Sequence, residues 1–153
     1  MTYRTIVVGT DGSDTAQRAV EQAAKLAAVD GARLVVVSAY TPGDAPRSRE
    51  RVDALPTDIR YTLTDRVQTE ELAERGRVLA KAAGVAKVVV QALEGPATQV
   101  LLDAARDFDA DLIVVGSKGL TSHAHLILGS VASTVAHHAP CDVLVAHTTK
   151  VDA

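Results

Sequence analysis

The glycines in the second half of the chain have a spacing that is suited to binding an anion. The sequence reads Gly116-x-x-Gly119-x9-Gly129-Ser130, directly after the apolar run Leu112–Val115. Glycine lets backbone N–H groups approach an anion without a Cβ atom in the way. A helix beginning at Ser130 would add free N–H groups, the positive end of its dipole and a hydroxyl. The spacing predicts a phosphate-binding loop, although the same glycines would also serve to turn the chain and cap the helix.

A single carboxylate, Asp11, is the second group of chemical interest. It follows the first apolar run, in the segment Gly9-Thr10-Asp11-Gly12-Ser13. A carboxylate repels phosphates and accepts hydrogen bonds from vicinal hydroxyls, such as those of a ribose. The two features together predict a nucleotide whose ribose lies near Asp11 and whose phosphates lie near the glycines. The alternative is structural, because Asp11 or Ser13 would also cap a following helix.

The elements that must position these groups follow from the apolar pattern. Five short runs rich in Val, Ile and Leu alternate with stretches of helical periodicity, and the runs are apolar without alternation, as in buried parallel strands. The predicted strands are Thr5–Val8, Leu34–Val37, Lys87–Gln91, Leu112–Val115 and Val143–Val145. The predicted helices run from Ser13 to about Val29, from about Ile59 to Ala83, from about Pro96 to Arg106, and from Ser130 to His138. This order predicts an α/β fold, a doubly wound five-stranded parallel sheet with helices on both faces.

Ligands of such sheets bind beyond the carboxyl ends of the strands, where the strand order reverses. The segments expected there as loops are Gly9–Ser13, Ser38–Tyr40, Ala92–Gly95 and Gly116–Gly119. A longer segment, Thr41–Asp58, contains three prolines and three closely spaced arginines, Arg47, Arg49 and Arg51. These arginines would either fold over the phosphates or belong to a solvated surface loop.

Length and composition restrict the class of protein. The 153 residues are 47% hydrophobic with a net charge of −3, which indicates one domain over residues 1–153 and excludes a disordered chain. The acidic balance and the 3% aromatic content argue against a nucleic-acid partner. One cysteine, Cys141, excludes an internal disulfide and a cysteine-based zinc site. No apolar run approaches the ~18 residues of a membrane helix, and Ile6–Val8 is far shorter than the ~7–15-residue core of a signal peptide, so we expect a cytoplasmic protein without a membrane partner.

The glycine spacing resembles the nucleotide-binding motif of ATP-binding universal stress proteins, the subgroup with G-2x-G-9x-G-S/T. The opening Ile6–Ser13 and the closing Pro140–Val145 also resemble that family, so the resemblance covers almost the whole chain. It implies a Rossmann-like sheet of strand order 3-2-1-4-5 and a role in the stress response. It further implies a homodimer that pairs through the last strand, with residues Val143, Leu144 and Val145.

The same resemblance assigns binding residues by position. Thr10 and Asp11 would contact adenine and ribose, and Ala39 would offer backbone hydrogen bonds to the base. The full predicted set is Gly9, Thr10, Asp11, Ala39, Gly116, Ser117, Lys118, Gly119, Gly129, Ser130, Val131 and Ala132. The implied ligand is an adenine nucleotide, ATP or cyclic AMP, with or without Mg²⁺. No catalytic residue and no metal-ligating residue is predicted.

The residue types favour binding over turnover. The chain has no G-x-x-x-x-G-K-[ST] motif and no base placed beside a nucleophile. The leading hypothesis is a regulatory protein that acts on a protein partner through ligand-dependent binding. The alternatives are a slow ATPase or phosphotransferase, and a dimeric interaction module that needs no nucleotide. A receiver domain is excluded because an acidic pair after the first strand is missing, and a flavodoxin because Asp11 would repel the flavin phosphate.

Overall fold

The computed structural model of the protein describes residues 3–41, 57–117 and 129–147. Within these ranges, strands and helices alternate along the chain as the sequence predicts. The strands are β1 (Thr5–Gly9), β2 (Arg33–Tyr40), β3 (Val88–Glu94), β4 (Leu112–Gly116) and β5 (Asp142–Ala146). The helices are α1 (Asp14–Asp30), α2 (Thr57–Ala82), α3 (Ala97–Asp107) and α4 (Ser130–His138).

All neighbouring strands are parallel, in the order β3-β2-β1-β4-β5, which confirms the predicted topology. The chain moves outward from β1 to β2 and β3, and then crosses back to β4 on the other side of β1. The strand order therefore reverses between β1 and β4. In open α/β sheets this point forms the crevice in which ligands bind, beyond the carboxyl ends of the strands.

Helices cover both faces of the sheet, which explains the continuous apolar strands. One cluster of buried residues joins Ile6 and Val8 of β1 to α1 and α2, and the other joins Val7 to α3 and α4. Successive side chains of a strand point to opposite faces, so each strand interior must be apolar at every position. The central residues Ile6, Val7 and Val8 are fully buried.

Strands β2 and β3 are longer than the sequence predicts. The predicted loops Ser38–Tyr40 and Ala92–Glu94 are in fact paired strands, with Ser38 opposite Ala92 and Tyr40 opposite Glu94. Ser38 is tolerated in a buried strand because its hydroxyl donates a hydrogen bond to the carbonyl of Thr10. The predicted segment Thr41–Asp58 is also shorter than expected, since α2 already begins at Thr57; residues 42–56 lie outside the described ranges.

At the amino-terminal ends of the strands, opposite the crevice, side-chain hydrogen bonds connect neighbouring segments. The Asp111 carboxylate accepts hydrogen bonds from the backbone N–H groups of Arg4 at 2.9 Å and Thr5 at 3.0 Å. Cys141 lies half-buried near this edge, just before β5. Burial raises the pKa of the Cys141 thiol, and the carboxylates of Asp142 and Asp111 raise it further.

Helix α2 approaches β2 very closely at Gly76. A Cβ atom at this position would lie 2.6 Å from the Cγ1 atom of Val36, a fully buried residue of β2. Because a valine in a central strand cannot move aside without disturbing its neighbours, only glycine fits here at the observed distance.

We expect Gly76→Ala to destabilise the protein by about 1 kcal/mol, because overpacking by about 1–3 kcal/mol outweighs a helix-propensity gain of about 1 kcal/mol. Urea unfolding measures this free energy. In a Val36→Ala background the obstructing methyl is gone, so the same change should stabilise the protein. Stabilisation in the wild-type background would show that the close approach is unimportant.

We also expect Cys141 to be a slow nucleophile, because a raised pKa lowers the fraction of thiolate at any given pH. The rate of iodoacetamide alkylation should rise with pH around a midpoint above that of a cysteine-containing peptide. Asp142→Asn removes one of the carboxylates that raise the pKa, so its midpoint should lie below that of the wild type. A wild-type midpoint equal to that of the peptide would contradict this assignment.

Candidate functional site

The site develops from a difference in length between two neighbouring strands. β1 ends at Gly9, which pairs with Val37, whereas β2 continues to Tyr40. The last backbone hydrogen bond between the two strands runs from the Thr10 N–H to the Val37 carbonyl, at 2.9 Å. Beyond this point the side of β2 that faces β1 has no strand beside it, and it borders the crevice.

The backbone of Ala39 faces this crevice. In a parallel strand both polar groups of one residue point to the same side, and the side alternates along the chain. The Val37 carbonyl accepts from Thr10 on the β1 side, and the Tyr40 carbonyl accepts from Gly95 on the β3 side. The N–H and C=O groups of Ala39 therefore point toward β1, two residues past its end. Together they present one donor and one acceptor to a ligand.

The loop after β1 holds a carboxylate in an exposed position. Asp11 is exposed, and its Oδ1 atom accepts a hydrogen bond from the Ser13 N–H at 2.9 Å. The Thr10 hydroxyl accepts a bond from the Gly12 N–H at 3.1 Å. Within the described part of the chain, Asp11 Oδ2 receives no hydrogen bond, so it can accept one from a ligand hydroxyl. The structural role falls to Ser13, which caps α1 by accepting from the Ala16 N–H at 3.2 Å.

The start of α4 offers backbone donors. Its N-cap is Gly129, and no side chain caps the helix among the described residues. The first intrahelical bond runs from the Ser133 N–H to the Gly129 carbonyl, at 2.9 Å. The N–H groups of Ser130, Val131 and Ala132 therefore lack carbonyl partners within the helix, at the positive end of its dipole. Such an end attracts an anion.

These donors are anchored to the end of β4. The Ser117 N–H donates to the Ala146 carbonyl at 2.9 Å, and the Ser117 carbonyl accepts from the Gly129 N–H at 3.3 Å. Gly116 is the last residue of β4 and pairs with Ala146. Lys118 and Gly119 of the predicted set lie outside the described residues.

Two predicted residues also have packing roles. A Cβ atom on Gly9 would lie 3.1 Å from the Cδ2 atom of Leu101, so this glycine lets α3 approach β1. Ala132 is buried at 1% exposure and its side chain belongs to the core, so only its backbone N–H is available to a ligand. Ser38 lies in a segment predicted to border the site but is not in the predicted binding set, and its hydroxyl donates to the Thr10 carbonyl. A serine at the end of an otherwise apolar strand was the available signal.

The order of the strands brings these groups together. β1 lies between β2 and β4, so the ends of β2 and β4 are separated by about 10 Å, two strand spacings. The crevice offers the Ala39 donor and acceptor at one end, the α4 donors at the other, and Asp11 beside them. This arrangement suits a ligand with a heterocycle, hydroxyls and an anionic group. Among the described residues no group of three or more His, Cys, Asp or Glu side chains could hold a metal ion.

The two histidines of α4 lie at the end of the helix that is remote from the crevice. His137 and His138 occupy the last turn of the helix, where they are exposed and suit the negative end of its dipole.

No described helix is both long and apolar enough to cross a membrane.

Comparison with known proteins places this geometry in a family. The model of the universal stress protein family matches residues 2–147. Universal stress protein Rv1636 of Mycobacterium tuberculosis H37Rv is 38% identical over 151 residues, covering 96% of this chain and 98% of the relative. The crystal structure of Rv1636 matches with a TM-score of 0.60, at 36% identity and 97% and 98% coverage.

Solved structures with bound nucleotides are also similar. A crystal structure of a universal stress protein in complex with cyclic AMP has a TM-score of 0.71 and 33% identity, covering 97% of this chain and all of that one. The universal stress protein of Archaeoglobus fulgidus in complex with dAMP has a TM-score of 0.59 and 24% identity, covering 95% and 98%, and shares the fold. The chain therefore belongs to the universal stress protein family.

Proposed function

We propose that the protein binds an adenine nucleotide, ATP or cyclic AMP, in the crevice between β1 and β4. The observation that carries this proposal is the backbone of Ala39, which directs one donor and one acceptor into the crevice. On its N6/N7 edge adenine presents the complementary pair, an amino group that donates and a ring nitrogen that accepts, whereas on the same edge the O6 and N7 atoms of guanine both accept. The similar structure with bound cyclic AMP supports the same class of ligand.

The proposed orientation follows from the remaining groups. The base contacts Ala39, and the phosphate accepts from the N–H groups at the start of α4. The ribose donates to Asp11 from both hydroxyls in ATP and from the 2′-hydroxyl alone in cyclic AMP. Thr10, Gly9, Gly116 and Ser117 line the path between base and phosphate. Lys118 and Gly119 belong to the proposed phosphate loop through the sequence motif, and Mg²⁺ would accompany a ligand with several phosphates.

We further propose that the nucleotide acts through binding and that its presence regulates contact with a protein partner. Asp11, the carboxylate beside the proposed ribose, already uses Oδ1 in its own loop, and its expected role is as an acceptor. The competing enzymatic hypothesis, a slow ATPase or phosphotransferase, predicts phosphate release that is linear in time and disappears in a Gly119→Asp variant. The competing interaction module predicts no response to nucleotides at all.

Calorimetric titration of ATP, AMP, cyclic AMP and GMP, with and without Mg²⁺, tests the proposal. We expect saturable binding of at least one adenine nucleotide and much weaker binding of GMP. Asp11→Asn keeps an acceptor for the Ser13 N–H and removes the charge, so affinity should fall about tenfold to a hundredfold, as for a hydrogen bond to a charged group. Gly119→Asp should abolish binding by placing a carboxylate in the phosphate loop.

The matched control is Asp107→Asn, which removes an exposed carboxylate at the far end of α3. It should bind the nucleotide as the wild type does. Folding of each variant is checked by its melting curve. If no adenine nucleotide binds to the folded wild-type protein, the proposal is wrong.

We also propose a homodimer formed through β5. This strand pairs with β4 on one side, and no described strand pairs with its other side. The Ala146 carbonyl points toward β4, where it accepts from Ser117, so the backbone groups of Val143 and Val145 point to the free edge. An edge with exposed donors and apolar side chains, including Leu144 at 38% exposure, favours pairing with a second copy.

Val143→Pro provides a direct test, because it removes an N–H group from the free edge and leaves the ladder to β4 intact. Sedimentation should give the mass of a dimer for the wild type and of a monomer for Val143→Pro. Val143→Thr, which has a similar volume and retains the N–H group, should remain dimeric. A Val143→Pro variant that still sediments as a dimer would exclude pairing through this edge.

A further inference from the structure

We infer that helix α2 is mechanically coupled to the ligand-binding crevice, so that a bound nucleotide changes the stability of this helix. The inference rests on the proposed function for its ligand and concerns how binding is transmitted to another surface. Two contacts, one turn apart on α2, join the helix to the two chain segments that carry the base- and ribose-contacting groups.

The first contact joins α2 to the loop that holds Asp11. Gly12 has a left-handed φ of +80°, and a Cβ atom at this position would collide with the Cδ2 methyl of Leu72. The Leu72 side chain is thus seated directly against the backbone of Gly12, the residue after Asp11. Any shift of this loop of more than a few tenths of an ångström must move Leu72 or open a gap beside it.

The second contact joins α2 to the strand that carries Ala39. Gly76, one turn after Leu72, brings the helix so close to Val36 that a Cβ atom would lie 2.6 Å from its Cγ1 atom. Val36 pairs with Val8 of β1 and precedes Ala39 by three residues. The position of α2 is therefore set jointly by the loop after β1 and by β2.

The opposite side of α2 is an exposed surface, which we call the outer face. It is lined by Val67, Glu70, Glu71, Glu74, Arg75 and Val78. Val67 and Val78 are 51% and 67% exposed, whereas Ala73 and Ala80, on the side that faces the sheet, are fully buried. The backbone hydrogen bonds of a helix hold it together as one unit. A displacement of its inner side therefore also moves its outer face.

A ligand can act through this connection only if it favours one position of the loop. In the structure Thr10 is tied to β2 by its hydrogen bonds with Val37 and Ser38, whereas the rest of the loop is held by two short-range bonds, from Gly12 to Thr10 and from Ser13 to Asp11. A ribose bound to Asp11 and a base bound to Ala39 would add a second link to β2, beyond Thr10, and favour the arrangement in which Leu72 lies against Gly12. By linkage, seating of Leu72 must favour the ligand to the same extent.

Hydrogen exchange of residues 66–82, measured with and without saturating cyclic AMP, tests the inference, with ATP as the second probe. In the wild type we expect exchange to slow by about fivefold or more, the lower end of coupling between sites. In Leu72→Ala the slowing should disappear, and the affinity for cyclic AMP should fall by a similar factor. Leu79→Ala, which shortens a half-buried leucine on the same helix, should retain the slowing and change the affinity by less than about twofold.

Calorimetry on the same samples separates the possible failures. Binding of cyclic AMP or ATP without any change in exchange of residues 66–82 overturns the coupling and leaves the proposed function standing. Equal behaviour of Leu72→Ala and Leu79→Ala also overturns it. Absence of binding by any adenine nucleotide overturns the proposed function, and the coupling with it. If Leu72→Ala does not fold, Leu72→Val takes its place, with the same expected directions and a smaller effect.

Discussion

The site depends on one feature of the sheet, which is that β1 ends two or three residues before its neighbour β2. Gly9 is the last residue of β1 to pair, opposite Val37, and β2 continues to Tyr40 because β3 accompanies it. If β1 continued, its backbone would form hydrogen bonds with the N–H and C=O groups of Ala39. Because it ends and turns into α1, those groups remain directed at the crevice, and the loop after Gly9 brings Asp11 beside them.

The position of β1 is in turn fixed from both faces by contacts that leave little free volume. On one face Leu101 of α3 approaches Gly9, and on the other Leu72 of α2 lies against Gly12. Backbone groups that bind a ligand must be held in place by their surroundings, since they have no side-chain torsion with which to adjust. Here the hydrophobic core holds them in place. Several residues near the crevice are therefore glycines or alanines, because larger side chains would not fit against the core.

The sequence predicts the fold well and the site in part. Continuous Val, Ile and Leu runs specify buried strands, and their alternation with helices specifies a parallel sheet; the strand order came from the family resemblance and agrees with the structure. The extension of β2 was missed because Ser38 looks like the start of a loop until the Thr10 carbonyl that accepts its hydroxyl is known. Ala39 was identified by resemblance, since a side-chain pattern carries no information about the direction of main-chain groups. The contact between Gly12 and Leu72 joins positions 60 residues apart, and local periodicity does not predict it.

The charges at the two helix starts beside the crevice would allow an acidic chain to bind the proposed anionic ligand in one orientation. Helices α1 and α4 follow β1 and β4, and both direct the positive ends of their dipoles toward the crevice. The positive end of α1 is already compensated, because Ser13 caps the helix and Asp14 lies in its first turn. The described start of α4 has neither a side-chain cap nor an acidic residue in its first turn. A phosphate would therefore be repelled at the end of β1 and attracted at the end of β4, and Asp11 would be left to accept from a hydroxyl group of the proposed ligand. The orientation of the proposed nucleotide would follow from this difference between two otherwise equivalent helix ends.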